Sequence, residues 1–588
     1  MARRPTLKSN RKQPSQPSKP HPPPDVPPPA APPRSLLLAW SVLAGLVLIG
    51  YWNVVRLGFS NDDFLILEEV ALRPVNGMLA WSHLIAGWWR PWSREFHFWS
   101  VYRLFEFNAA AFHLANMVLW LAVLACLLVL VRRLTDARTA VLVVAGAFTA
   151  SAWGIYITWA SCAQDLWMLL FGTLFLMAQL AGRRVLAPIA LAMAMLSKET
   201  ALLMVPIGAW MQFTLRGRAG LRARDWLAPM LVVLVWAGVH PSLGGRWFSG
   251  SSARFLASPS APVSASVLRY LFAPLNLEHW PGPRDGWAKA LAEGAIWAAA
   301  IGALGWSMLR SVPAKGAAFP HRRRWIQLGL GWWAIGWSPF VVSVFQWHSY
   351  YGWFGICGAW LAAVACLSTR PRILLALLMM VSALRPVALH TYADEWGTEI
   401  HQRLASGRTE RIHDQLLAFH PTLPHHARIF IAGVPSGTGL LTSSRYSAAV
   451  HVWYRDTTVA LAGLSKFWTR SAAEPPGPDY FYVLDRDIRL FPVATGPLTV
   501  PDSMRTSSEW QGTEEQVAAL LAGSGDWRRA RESFARLAHA YPDTARYAFD
   551  LGVAYDSLGA AARATIWLDR ADSLVGAPPS RGRGFFGR

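Results

Sequence analysis

The sequence predicts a mainly α fold, a polytopic helical membrane protein of about eleven spans with a small extracytoplasmic α/β domain and tetratricopeptide-like helices at its C-terminus. Three observations lead there. Hydrophobic residues make up 53% of the 588 and charged ones only 15%. Apolar runs long enough to cross a bilayer recur between Leu36 and Leu389, and from Thr391 the composition becomes that of ordinary soluble protein. With a mean hydropathy of +0.25, the chain carries more apolar surface than one globular core can bury.

Residues 1–34 hold twelve prolines among basic and small residues and read as a disordered, locally extended cytoplasmic tail. The first apolar run, Leu36 to Val55, lacks a small-residue cleavage pattern and is expected to remain as an anchor. Further runs lie at 112–131, 139–160, 165–182, 226–241, 288–309, 325–345, 350–368 and 371–389.

The stretch 185–215 is either one long span or two short ones broken at Ser197-Lys198-Glu199-Thr200. A hairpin puts the basic clusters at 132–138, 183–184, 216–224, 310–324 and 370–372 on the same side as the N-terminal tail. One span would put the last three on the opposite side, against the positive-inside bias. The hairpin is therefore expected, with the N-terminus cytoplasmic and everything after residue 390 extracytoplasmic, in a bacterial inner or plasma membrane.

The net charge of +21 does not mark a nucleic-acid binder, because the basic residues occur as short clusters between apolar runs and form no single stripe. None of the four cysteines lies in the polar C-terminal third, so no disulfide framework is expected.

The first loop, 56–111, mixes Trp and Phe with Arg and His, as in Trp88-Trp89-Arg90-Pro91-Trp92, and suits helices lying in the membrane interface. It opens with Ser60-Asn61-Asp62-Asp63, just past the first span. Adjacent acids at a membrane edge repel each other and are costly to desolvate, which favours a catalytic reading over a plain helix cap. On the same face stand Asp165, the Lys198-Glu199 break and the long 242–287 loop.

In the soluble part, 391–511 reads as an α/β domain with strands expected over Ala427–Gly433, Ala448–Tyr454 and Tyr480–Leu484. Over 512–577, Gly525 and Gly559, Ala530 and Ala564, and Phe534 and Leu568 each recur at the 34-residue period of tetratricopeptide repeats. Two repeats are too few to stand alone and are expected to dock on the preceding domain or on a protein partner. Residues 578–588 are a second tail.

Taken together, Asn61-Asp62-Asp63, Arg90-Pro91, Phe112-His113-Leu114-Ala115-Asn116, Asp165-Leu166 and Leu196-Ser197-Lys198-Glu199-Thr200 resemble, in order, the motifs of the C-type glycosyltransferases. The chain is most similar to the transmembrane and tetratricopeptide-repeat-containing protein O-mannosyltransferases. It departs from that pattern at Tyr156 to Ser161, at Gln164 and at Gln346 to Tyr350.

The resemblance implies transfer of a sugar, mannose among the possibilities, from a polyprenyl-phosphate carrier to an extracytoplasmic acceptor, a protein Ser or Thr or an envelope glycan. It implies Asp62 or Asp63 as the catalytic base, with Asp165 beside them. Arg90 and Lys198 would bind the donor phosphate, Glu199 orienting Lys198, and His113, Asn116, His348 and Tyr350 are further pocket candidates. No metal ligand set is seen in the sequence, the lipid-linked sugar is the co-substrate, and a divalent cation at the acidic pair is left open.

Blander readings stand beside these. Lys198 suits a snorkelling helix end, Arg90 an interfacial anchor, Asp165 an N-cap, and His113 and Asn116 bonds between helices. Other whole-chain readings are a transferase acting on a lipid or cell-envelope glycan, a non-enzymatic scaffold presenting the repeats, and a transporter. The last is disfavoured because the polar residues gather at one face and not at mid-bilayer depth.

Overall fold

The computed structural model describes residues 34–72, 89–240, 263–278, 287–310, 322–340, 348–391, 397–435, 438, 440, 448–494, 500 and 502–575. The N-terminal tail, Trp88, most of the 242–287 loop, Gln346-Trp347 and the tail from 578 lie outside the described residues.

Helices occupy the apolar runs wherever they are described. They are α1 (Arg34–Tyr51), α2 (Asp62–Leu72), α3 (His97–Phe105), α4 (Ala109–Leu134), α5 (Ala137–Phe148), α6 (Ala163–Leu180), α7 (Leu186–Met195) and α8 (Met204–Arg216). There follow α9 (Ala223–Val239), α10 (Val263–Phe272), α11 (Trp287–Arg310), α12 (Arg322–Trp337), α13 (Trp353–Leu367) and α14 (Pro371–Thr391). Among the described residues, six helical stretches are long and apolar enough to cross a membrane. Helices α7, α8, α9 and α12, of 10, 13, 17 and 16 residues, are shorter than that test requires.

The run expected as one span over 139–160 is instead broken, and the piece Ser151–Thr158 turns away from α5 by 72°. Polar residues take up the interruption: Thr149 Oγ1 donates to the Gly146 carbonyl at 2.6 Å, and Ser151 N to Asn276 Oδ1 at 2.7 Å. Backbone carbonyls freed by the break are met from α4. Asn116 Nδ2 lies 3.0, 3.0 and 3.1 Å from the oxygens of Tyr156, Trp159 and Ala160, and His113 Nδ1 lies 2.9 Å from that of Ile157. A buried carbonyl without such a partner would cost about 1–3 kcal/mol.

The 185–215 stretch is a hairpin. Helix α7 runs back along α6 until Lys198 stands beside Asp165, and α8 then returns, with Gln212 Nε2 donating to the Gln179 carbonyl and Arg216 Nη2 to that of Leu180, both at 2.9 Å. The arginine clusters consequently meet at the opposite end of the helices. Arg133 reaches the Met177 carbonyl, Arg184 the Asp225 carboxylate, and Arg322 the Ala365 and Cys366 carbonyls. Cations at helix C-termini satisfy the last carbonyls and complement the helix dipole.

In the soluble part, helix α15 (Glu399–Phe419) leads into a sheet of β1 (Arg428–Ala432), β2 (Ala460–Gly463), β3 (Asp479–Leu484) and β4 (Leu490–Val493). The order is β2-β1-β3-β4, with β1 parallel to both neighbours and β4 antiparallel to β3. Ala448–Tyr454, expected as a strand, is a helix (α16). Its run of buried residues carries no period that separates strand from helix, and docking on α2 decides it. Trp453 packs edge-on against Phe64 and His451 Nδ1 lies 3.1 Å from Glu68.

The described residues end in two helix hairpins, α17 (Ser508–Gly523) with α18 (Trp527–Ala540) and α19 (Ala545–Ser557) with α20 (Ala561–Val575). Gly525 and Gly559 close them in the left-handed region, at φ 83° and 73°. The array docks on the sheet: buried Glu514 of α17 accepts from Ala494 N at 3.1 Å and from Arg536 Nη2 at 2.7 Å.

At Gly154, inside the broken piece, a Cβ would lie 1.7 Å from Glu399 Oε2 and 2.4 Å from the Tyr51 hydroxyl. Gly154→Ala is therefore expected to cost about 1–3 kcal/mol through overpacking, seen as a lower Tm of the purified protein. Gly45→Ala on α1, where nothing lies within 4 Å, is expected to leave Tm unchanged or raise it slightly. Equal responses at the two positions would contradict the close packing at the break.

Candidate active site

The Ser60-Asn61 turn places the two aspartates. Asn61 has a φ of 52°, a left-handed conformation that Asn tolerates better than most residues. Ser60 Oγ and Asn61 Nδ2 both donate to Gln402 Oε1 on α15, at 3.1 and 2.9 Å, so the soluble part grips the turn.

Beyond that turn Asp62 and Asp63 diverge. Asp63 is fully buried: its Oδ1 accepts from Ser161 N at 2.7 Å and Ser161 Oγ at 2.5 Å, and its Oδ2 from Ser60 N at 3.0 Å. Asp62 is half-buried, and among the described residues its carboxylate makes no hydrogen bond or ion pair. Burial raises the Asp62 carboxyl above its ordinary range, and the nearby positive charges of Arg90, Lys198 and Arg94 only partly offset that rise.

Opposite the turn lie two ion pairs, one buried and one partly buried. Lys198 Nζ donates to both oxygens of Asp165 at 2.6 and 2.7 Å. Arg90 forms a fork on Glu199, with Nε at 2.9 Å and Nη2 at 2.6 Å from Oε2, and its Nη1 donates to Gln164 Oε1 at 2.6 Å. The expectation that Glu199 orients Lys198 is corrected, since the lysine is oriented by Asp165 and Glu199 serves Arg90. The reason is geometric: the chain is extended at Lys198, so consecutive side chains diverge, Lys198 reaching Asp165 on α6 and Glu199 reaching Arg90 of the first loop. Burial alone would raise the Glu199 carboxyl, but Arg90 more than offsets it and holds the group below the usual carboxylate range.

The first loop is fastened to the hairpin break by one backbone and one side-chain hydrogen bond to its carbonyls. Trp92 N donates to the Leu196 carbonyl at 3.2 Å and Ser93 Oγ to that of Ser197 at 2.6 Å. Arg94 and Glu95, in the Pro91–Phe96 turn, form a further buried pair.

Tyr350 and its neighbour Tyr351 border the lysine, their ring centroids 5.6 and 4.9 Å from Nζ, within reach of cation–π attraction. His348 stacks on Tyr350 at 6.0 Å, and burial pushes its imidazole down to about 3, so it is neutral. The structure thus brings Asp62, Asp63, Asp165, Arg90, Lys198 and Glu199 together, with His348 and Tyr350 beside them. His113 and Asn116 face the helix break and hold backbone.

Four residues of the site are not among the sequence's site candidates: Ser161 and Gln164, which stand there only as departures from the family motifs, and Arg94 and Gln402. Ser161, Gln164 and Asp165 are polar residues spaced i, i+3 and i+4 between the apolar runs 139–160 and 165–182, a legible signal. Gln402 sits in an ordinary polar helix and offered none. Among the described residues no group of three or more His, Cys, Asp or Glu side chains is arranged to hold a metal ion.

No family model and no curated protein matches the chain. Two crystal structures of ArnT from Cupriavidus metallidurans are similar to it. The one bound to undecaprenyl phosphate is 14% identical with a TM-score of 0.36, over 76% of this chain and 92% of that one. The apo structure is 15% identical with a TM-score of 0.37, over 76% and 93%. Likeness at that level carries neither fold nor activity to this chain.

Burial pushes the Asp63 carboxyl up to about 7 against the pull of its hydrogen bonds from Ser161 and Ser60. The folded chain then holds this proton more tightly than the unfolded chain. The stability this contributes is full below the ordinary carboxylate range and is lost as pH rises through about 7. Asp63→Asn, which cannot titrate, is expected to flatten the fall in Tm between about pH 5 and about pH 8. A mutant profile parallel to wild type would contradict the shift.

Proposed function

We propose that the chain is a membrane glycosyltransferase that moves a sugar from a polyprenyl-phosphate carrier to an extracytoplasmic hydroxyl. The observation that carries this reading is the contrast at the site: a half-buried Asp62, without a hydrogen-bond partner among the described residues, lies near cations that other carboxylates already hold in place.

In this reading the acceptor oxygen attacks the anomeric carbon of the donor while Asp62 takes its proton. The bond from that carbon to the phosphate oxygen breaks with inversion, and the polyprenyl phosphate departs with the electron pair. A base whose proton affinity is raised by burial suits proton abstraction near neutral pH. Of the three N–H donors on Lys198, two are engaged by Asp165, and the third is available to the developing phosphate charge. Arg90, steadied by Glu199 and Gln164, supplies a second fixed cation. Asp63 keeps the turn in place from inside the fold. The mechanism assigns no step to a divalent cation.

Residues 35–390 form the transferase in this reading, with 56–111 as its first loop. The 391–511 domain lies beside the site through Gln402, and 512–577 serve as tetratricopeptide-like repeats. Helix hairpins offer surfaces for polypeptide, which favours a protein Ser or Thr acceptor over a lipid or envelope glycan. Mannose rests on the family resemblance alone. The carboxylates and Lys198 lie at the end of the helices opposite the arginine clusters, which supports an extracytoplasmic site with a cytoplasmic N-terminus.

Asp62→Asn is expected to lower kcat for transfer from a polyprenyl-phosphate sugar by about 10²–10⁴, with Tm and donor binding little changed. Transfer at the wild-type rate in purified Asp62→Asn protein would overturn the assignment.

A further inference from the structure

One side chain joins the two halves of the site. Gln164 Oε1 accepts from Arg90 Nη1 at 2.6 Å, while its Nε2 donates to the Ser161 carbonyl at 3.0 Å. The same Ser161 holds Asp63 through its backbone N and its hydroxyl at 2.7 and 2.5 Å. A continuous path therefore runs from Glu199 through Arg90, Gln164 and Ser161 to Asp63, the residue next to Asp62.

Both ends of Gln164 are committed, and each orientation of its amide is fixed by a partner of one kind. The guanidinium can only donate and the carbonyl can only accept, so a flipped amide would face donor to donor and acceptor to acceptor. Gln164 is itself buried, 6% exposed, so neither hydrogen bond is replaced by solvent without cost.

In addition to the Glu199 fork, the Nη1 bond to Gln164 ties the guanidinium to α6 and restrains its rotation about the fork edge. The short segment from Ser161, in the turn before α6, to Gln164, in the first turn of α6, then links Nη1 to the Asp62 turn.

We propose that Gln164 is a positioning residue that fixes Arg90, and with it the donor phosphate, relative to the Asp62 turn. The inference rests on the transferase reading. It assigns Gln164 no contact with substrate, and its effect passes entirely through Arg90 and Ser161. A polar acceptor at this place keeps Arg90 in register without adding a third carboxylate beside the donor phosphate.

The test is a double-mutant cycle on full-length protein in detergent, with binding of undecaprenyl phosphate as the readout and Tm recorded for each variant. Gln164→Met keeps the side-chain volume and removes both hydrogen bonds. It is expected to weaken lipid binding about tenfold in the wild-type background and less than about twofold in an Arg90→Lys background. An equal loss in both backgrounds, or none in wild type, would overturn the positioning role while leaving the transferase reading intact. Absence of undecaprenyl phosphate binding by the wild-type protein would instead overturn the transferase reading, and this inference with it. Should Gln164→Met fail to fold, Gln164→Asn, which shortens the side chain by one methylene and withdraws the acceptor from Arg90, carries the same cycle with the same expectation. An equal loss in both backgrounds, or none in wild type, would overturn the proposal.

Discussion

The Lys198–Asp165 pair is the constraint from which the rest of the site follows. An ammonium buried at a break between two short apolar helices is tolerated only with a carboxylate at hydrogen-bond distance, and removing one partner of such a pair costs about 3–5 kcal/mol. Pairing pins the end of α7 to the start of α6, which forces the chain to double back and sends α8 toward the arginine end. Charge therefore sets the path of the backbone here, and the apolar faces fill in around it.

A second consequence concerns the neighbouring aspartates. Two carboxylates in sequence cannot both be buried and ionised, and the fold separates their tasks by environment. Asp63 turns inward onto Ser161 and Ser60, while Asp62 stays half-buried. The soluble part takes a share in this, since Gln402 holds the turn from α15. Close by, Glu399 binds Arg403 and the Tyr51 hydroxyl, and Arg385 lies between the rings of Trp153 and Trp297. The Asp62–Asp63 turn is thus clasped between the apolar helices and the polar C-terminal part that follows them.

Much of this was legible in the sequence because it rests on long apolar periods and on charge. The hairpin at Lys198 followed from the sidedness of arginine clusters, a whole-chain balance that local ambiguity does not disturb. Pairings were less legible. Lys198 and Glu199 are adjacent, so sequence alone suggested that they serve each other, whereas extended backbone sends them to opposite neighbours. The break at Thr149–Gly154 was hidden inside a run with enough apolar residues for one span, and its signal was the packing of Gly154 against Glu399, far away in sequence. Ala448–Tyr454 misled for a related reason: a short buried run has no solvent face to reveal its period, and contact with α2 chose the helix.

The most direct measurement is a structure of the full chain with undecaprenyl phosphate bound. The account requires the phosphate beside Lys198 and Arg90, with Asp62 facing the position of the sugar carbon. A phosphate seated instead among Arg133, Arg184 and Arg216, at the opposite end of the helices, would contradict it.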